Sequence, residues 1–174
     1  MNYVIFASYG NDSVALIQWA HEHGLKNVHV VYSDTGWAAD WWAARVEQGE
    51  AWARSLGFTT HRTASEGMEG LVMRKKAWPR GGGGKYQFCT AALKKEPAQA
   101  WLAANDPHGE ATCMVGVRRE ESANRSDAPE WVTESEEHGG RELWQPLVRH
   151  KEAERDALAL KSPLPLLPFR SKEY

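Results

Sequence analysis

The stretch that decides the fold is YVIFASYGNDSVALIQWA, residues 3–20. An unbroken apolar run at 3–7 stops at Ser8-Tyr9-Gly10-Asn11-Asp12-Ser13, and an apolar-periodic segment follows at once. The run reads as a strand buried on both faces. Residues 13–23 read as a helix closed by Gly24. The junction has two readings. One is a turn with Asp12 as the helix cap. The other is an anion-binding loop, because a helix N-terminus carries unpaired N–H groups and the positive end of a dipole. Gly10 would let the backbone approach a phosphate, and Ser8 and Ser13 carry hydroxyl donors. Asp12 cannot favour an anion by charge, so on this reading it calls for Mg²⁺ between carboxylate and phosphates. A GxxxxGK[ST] loop is excluded, since no lysine follows the glycine. On these residues alone the two readings stand level.

Outward from this junction, strands and helices alternate. Residues 28–32 form a second strand. Residues 40–56 form a helix with Trp42, Val46, Gly49, Ala53 and Leu56 on one face, stopped by Gly57. Residues 58–62 suggest a third strand and 67–76 a short helix. The stretch PRGGGGKYQFCT, 79–90, reads as a loop, since consecutive glycines hold no regular element. EPAQAWLAAN is a helix with Pro97 in its first turn. Residues 111–117 are a buried strand, 118–137 a polar loop, ELWQPL a last strand and 151–160 a closing helix. This alternation predicts an α/β domain over 1–161 with a mostly parallel sheet. The proline-rich stretch 162–174 is set apart as a non-helical C-terminal tail, one that truncation could have shortened.

The 174 residues suit one domain with a real core. A net charge near −2 gives no global field for nucleic acid. Cys89 and Cys113, the two cysteines, argue against a disulfide scaffold, a cysteine-only zinc site or an iron–sulfur cluster, and for a reduced cytoplasmic setting. No segment approaches the roughly 18 apolar residues of a membrane span. Seven histidines show no zinc-hydrolase spacing, and His21 and His23 fall at a helix end facing solvent. Trp41 and Trp42 are adjacent, so at most one faces the core; the other could cover a ligand or a partner.

Three further stretches could carry chemistry. VYSDTGWA, at the end of the second strand, offers Asp34, Thr35 and Gly36 to a nucleotide pocket, or is a plain strand-to-helix turn. YQFCTAALKKEP sets Lys85, Lys94 and Lys95 near Cys89 and Thr90, either to neutralise phosphate or sulfate oxygens or as a solvated basic helix start. Cys89 is a nucleophile or a small apolar filler. GVRREESANR follows a buried strand, and Arg118, Arg119 and Arg125 make a forked anion clamp or a charged surface loop, with Glu120 and Glu121 as pairing partners.

Together, SYGNDS, YSDTG, FCTAALKKEP and GVRREESANR, in this order, resemble the PP-loop ATP pyrophosphatase superfamily, and within it the phosphoadenosine phosphosulfate (PAPS) reductase-like family. The resemblance covers residue 3 to WQPLVRH. It implies a Rossmann-like, adenine nucleotide alpha hydrolase-like three-layer fold with a mostly parallel sheet of about five strands. It implies that Ser8, Gly10, Asn11, Asp12 and Ser13 hold a pyrophosphate, and that Asp34 and Thr35 sit near the adenosine. Lys94, Arg118, Arg119 and Arg125 would contact the phosphate or sulfonate. Tyr9, Gly36, Cys89, Thr90 and Gly116 lie inside the motifs and count with the nucleotide-binding set. Tyr9 stands where the family loop, approximately SGGxDS, has glycine, and could pack on an adenine or fill space. The catalytic set is then Asp12, Lys94, Arg118 and Arg119, with ATP and Mg²⁺ as cofactors and no iron–sulfur cluster. PAPS reductases use a cysteine in a Glu-Cys-Gly type tail; this chain ends PFRSKEY. The implied activity is therefore ATP cleavage between the α and β phosphates, which adenylates an acceptor for sulfur or nitrogen transfer. The alternatives are a sulfonucleotide reductase-like enzyme and a non-catalytic nucleotide-binding subunit of a modification complex. Expected partners are a nucleotide, an acceptor and a sulfur donor or partner protein, with a homo-oligomer open and no membrane.

Overall fold

The computed structural model describes residues 1–78 and 88–168. Its sheet has six strands in the order β3-β2-β1-β4-β6-β5. These are β1 (Tyr3–Phe6), β2 (Val28–Asp34), β3 (Thr59–Ala64), β4 (Thr112–Met114), β5 (Trp131–Ser135) and β6 (Arg141–Trp144). All pairings are parallel except β5 with β6. β1 is central, with Tyr3 opposite Val28 on one side and Thr112 on the other.

The sheet is buried on both faces, as its apolar strands require. Ile5, Val30 and Met114 face a layer formed by α1 (Asn11–Glu22), α2 (Asp40–Ser55) and α5 (Glu152–Ala159). Val4, Val31 and Cys113 face Leu102 of α4. This helix runs from 88 to 105: an α turn at Phe88–Thr90, a π-helical segment at Ala91–Lys95, then α-helix over Glu96–Asn105. α3 (Gly67–Lys75) lies against the π segment. The result is a three-layer α/β fold.

Two expectations change. Part of the stretch read as a polar loop is strand β5, which pairs antiparallel at the sheet edge and carries a register shift between Val132 and Ser135. The stretch 79–87, with its glycines and Lys85, lies outside the described residues, and the FCT that follows is helical. The first part of the tail also packs back on the domain. Leu164 is buried in the core, Gln48 donates to the Pro163 carbonyl, and Arg45 donates to that of Pro165.

Candidate functional site

β2 and β3 extend the sheet to one side of β1, while β4, β6 and β5 extend it to the other. The switch point therefore lies between β1 and β4, and open α/β sheets bind ligands beyond the carboxyl ends of the strands there. Residues 7–10 and 115–118 occupy that place. Ala7 still donates to the Val31 carbonyl. The chain then turns through Tyr9 at φ 59° and enters α1 after Gly10. Helix α1 begins at Asn11, two residues earlier than its periodicity suggests, so Gly10 is the cap and Asp12 lies in the first turn.

The loop residues divide by what they do. An added Cβ at Gly10 would meet nothing nearer than Ser8 Oγ at 3.4 Å, and its φ is an ordinary −72°. Packing does not demand this glycine, which is itself buried, and its N–H donates to Ser8 Oγ at 3.4 Å. Ser13 is buried and its hydroxyl donates to the Gly10 carbonyl. Asn11 is clasped by the tail, its amide donating to the Leu167 carbonyl and its Oδ1 accepting from the Leu167 N–H. Both side chains, which the resemblance gives to a pyrophosphate, are engaged by the protein itself here. Tyr9 is fully buried on Gly49, with its ring 6.1 Å from that of Tyr32. Burial raises its phenol pKa first, and Glu50 raises it further. It fills space and packs on no adenine.

Asp12 receives Arg118 Nε at 2.6 Å and Arg155 Nη1 at 3.4 Å. Burial would lower the pKa of Arg118, but its hydrogen bond and attraction to Asp12 outweigh that and leave it raised. Arg118 is 3% exposed, and its Nη1 has no hydrogen-bond partner among the described residues. Gly116 lets β4 pass α1: a Cβ there would lie 2.7 Å from the Asp12 carbonyl oxygen. The expected three-arginine clamp is not assembled. Arg119 donates to the Ala128 carbonyl, and Arg125 pairs with Glu121 within the same loop. Arg155 takes the second place at Asp12. It is buried on α5 one turn before buried Ala159, and a charge at a core-facing helical position was the signal for it. Arg45, buried on α2, holds the Tyr9 carbonyl at 2.7 Å and so fixes the loop from below.

Asp12, the candidate magnesium carboxylate, is shared by two guanidinium groups. No group of three or more His, Cys, Asp or Glu able to hold a metal exists among the described residues.

Two cavities open at the strand ends. One, of about 210 Å³, is lined by Phe6, Ala7, Val31 and Ala98 with Lys95, Glu137 and His138; the other, of about 270 Å³, by Thr35, Trp37, Trp42, Cys89 and Thr90 among others. Ser8, Ser33 and Lys94 line both. Lys94 stands on the π segment and makes no ion pair or hydrogen bond among the described residues. π-helical turns inside α-helices are rare and collect at functional sites. Asp34 and Gly36 have local duties. The Asp34 carboxylate accepts from the Gly36 N–H at 2.9 Å, and Gly36, at φ 61°, approaches Gly67 closely. Trp42 is buried and Trp41 is 45% exposed, so the pair divides as expected. His138, missed in the sequence, is buried and bonded through Nδ1 to Ser135 Oγ at 2.8 Å.

The sequence profile of the phosphoadenosine phosphosulfate reductase domain matches residues 2–174. The chain belongs to this family. Solved structures agree in fold. A PAPS reductase from Candida auris, in a phosphate complex, is 18% identical at a TM-score of 0.63, covering 95% of this chain and 75% of its own. The Candida glabrata FMN adenylyltransferase with FAD and inorganic pyrophosphate is 14% identical at 0.59, covering 95% of this chain and 49% of its own. An NH3-dependent NAD synthetase from Campylobacter jejuni is 14% identical at 0.52, covering 92% of this chain and 63% of its own. The chain thus spans about half the length of the adenylyltransferase. No curated protein matches. No helix among the described residues is long and apolar enough to cross a membrane.

Proposed function

We propose that this PAPS reductase-family protein binds ATP and cleaves it between the α and β phosphates, adenylating an acceptor for sulfur or nitrogen transfer. The observation that carries this reading is where the cavities meet. Ser8, three residues before α1, and Lys94, which makes no ion pair or hydrogen bond among the described residues, line both. The loop N–H groups and helix dipole receive the pyrophosphate. Lys94 neutralises charge gathering on the α-phosphate, and Arg118 and Arg155 supply positive charge behind Asp12. Catalysis rests on positioning and charge neutralisation. Magnesium arriving on the nucleotide needs no protein cage, since it keeps waters and phosphate oxygens as ligands.

Lys94 is exposed, so its removal spares the fold. In Lys94→Ala we expect at least tenfold weaker ATP binding by calorimetry and a matching loss of pyrophosphate release, with unchanged circular dichroism. Wild-type protein that neither binds nor cleaves ATP under any acceptor condition overturns the proposal.

One observation favours a sulfonucleotide substrate instead: Cys89 lines the larger cavity beside Thr90 and Lys94. Cys113 cannot serve, because burial pushes its thiol pKa up to about 12. Tighter binding of PAPS than of ATP, lost in Arg118→Ala, would select this reading.

A further inference from the structure

We propose that the smaller cavity is the acceptor site, that it takes a small molecule with an apolar body and a neutral O–H or N–H nucleophile, and that His138 accepts that nucleophile's proton. The inference rests on the ATP-cleaving reading above.

The two cavities are distinct spaces with a common wall of Ser8, Ser33 and Lys94. A two-substrate reaction needs this plan: each reactant has its own space, and the reacting phosphorus sits where they meet. The larger cavity has the indole surfaces of Trp37 and Trp42, suited to a nucleoside. The smaller has apolar walls at Phe6, Val31 and Ala98 and holds about 210 Å³. Lys95 and Glu137 at this cavity pair with each other, and Lys94 is its unpaired charge among the described residues.

His138 is the proton-accepting group there. Its Nδ1 is taken by Ser135 Oγ, and its ring lies 5.4 Å from Phe6. Nε2 makes no hydrogen bond among the described residues, and the residue lines the cavity. Burial first, then Lys95 and Arg141, hold the imidazole below its usual range against an opposing pull from Glu137, so the ring is neutral near pH 7. The proposed role takes the tautomer in which Nδ1–H donates to Ser135 Oγ, so that Nε2 carries the lone pair that receives a proton. In the step, a lone pair of the acceptor oxygen or nitrogen forms a bond to the α-phosphorus. The bond from that phosphorus to the bridging oxygen breaks, pyrophosphate leaves with its electrons, and the acceptor proton passes to Nε2.

The test uses hydroxylamine as a small neutral nucleophile, its free-base concentration held constant across the pH range, with saturating ATP. ATP binding is measured first, and its absence defeats the parent reading and this one together. With ATP bound, wild-type protein should release pyrophosphate in a hydroxylamine-dependent way. His138→Gln should slow that release at least 30-fold and remove the acid limb of its pH profile, while ATP affinity stays within twofold. Ser135→Ala, which keeps the imidazole, should lose about tenfold and retain the limb; it carries the test if the Gln variant does not fold. Three results overturn the proposal: release in His138→Gln at the wild-type rate and pH profile, ATP-bound wild type that hydroxylamine does not accelerate, or His138 ring resonances that report direct contact with the α,β-methylene analogue of ATP.

Discussion

Tyr9 stands in left-handed backbone with its ring sealed in the core, and its hydroxyl has no hydrogen-bond partner among the described residues. A buried hydroxyl without a partner costs stability. Tyr9→Phe is therefore expected to raise the urea midpoint, by about 1 kcal/mol of stability, and a fall of that size would show that the hydroxyl has a partner. Asp12→Ala should act the other way. It strands buried Arg118, and we expect a loss of about 3 kcal/mol in urea denaturation, low for a buried pair because the carboxylate is partly exposed. At this scale the sequence disclosed the loop but not its wiring. Ser8, Gly10 and Asp12 could be named because strand, loop and helix are contiguous. The choice of Arg155 over Arg119 and Arg125 could not, because all three are equally charged in the chain and only the docking of α5 on α1 separates them.

The elements were legible where hydrophobic period was strong, as in β1, β2, α1 and α2. β5 was not, because Trp131 and Glu134 are exposed and an edge strand with a wet surface lacks a clean alternation. β4 is shorter than its apolar run, since the ladder ends at Met114 just before Gly116 passes the α1 backbone. The π segment had no sequence signal and makes its own prediction. Deleting Ala92 should convert Ala91–Lys95 to α-helix and turn Cys89 and Thr90 by about 100° relative to Lys94. We expect ATP affinity to fall about tenfold with the helix content kept; unchanged affinity would show that the extra residue has no part in binding.

Across the whole molecule, three histidines resist protonation. Burial is the first cause at His29, His61 and His138; His61 and the N-terminus add to it at His29, and Lys95 and Arg141 add to it at His138. All three are depressed, so below about pH 6.5 the unfolded chain binds more protons than the folded one. Stability from these groups is complete above that pH and drains away as pH falls through it towards the lowered native values. Urea midpoints taken from pH 8 to pH 5 should drop on the acid side, and less steeply in His61→Gln; a flat wild-type profile would contradict this.

The position of β1 also sets an order of events in synthesis. Its pairing with β2 joins neighbours in the chain, so that half can form early, whereas Tyr3 must wait for Thr112 to arrive. Asp12 then gains its countercharges from positions 118 and 155. A nascent chain therefore carries Asp12 well before its countercharges at positions 118 and 155 have been made. Under the proposed function, chains that stop short of Arg118 are expected to show no ATP binding by calorimetry.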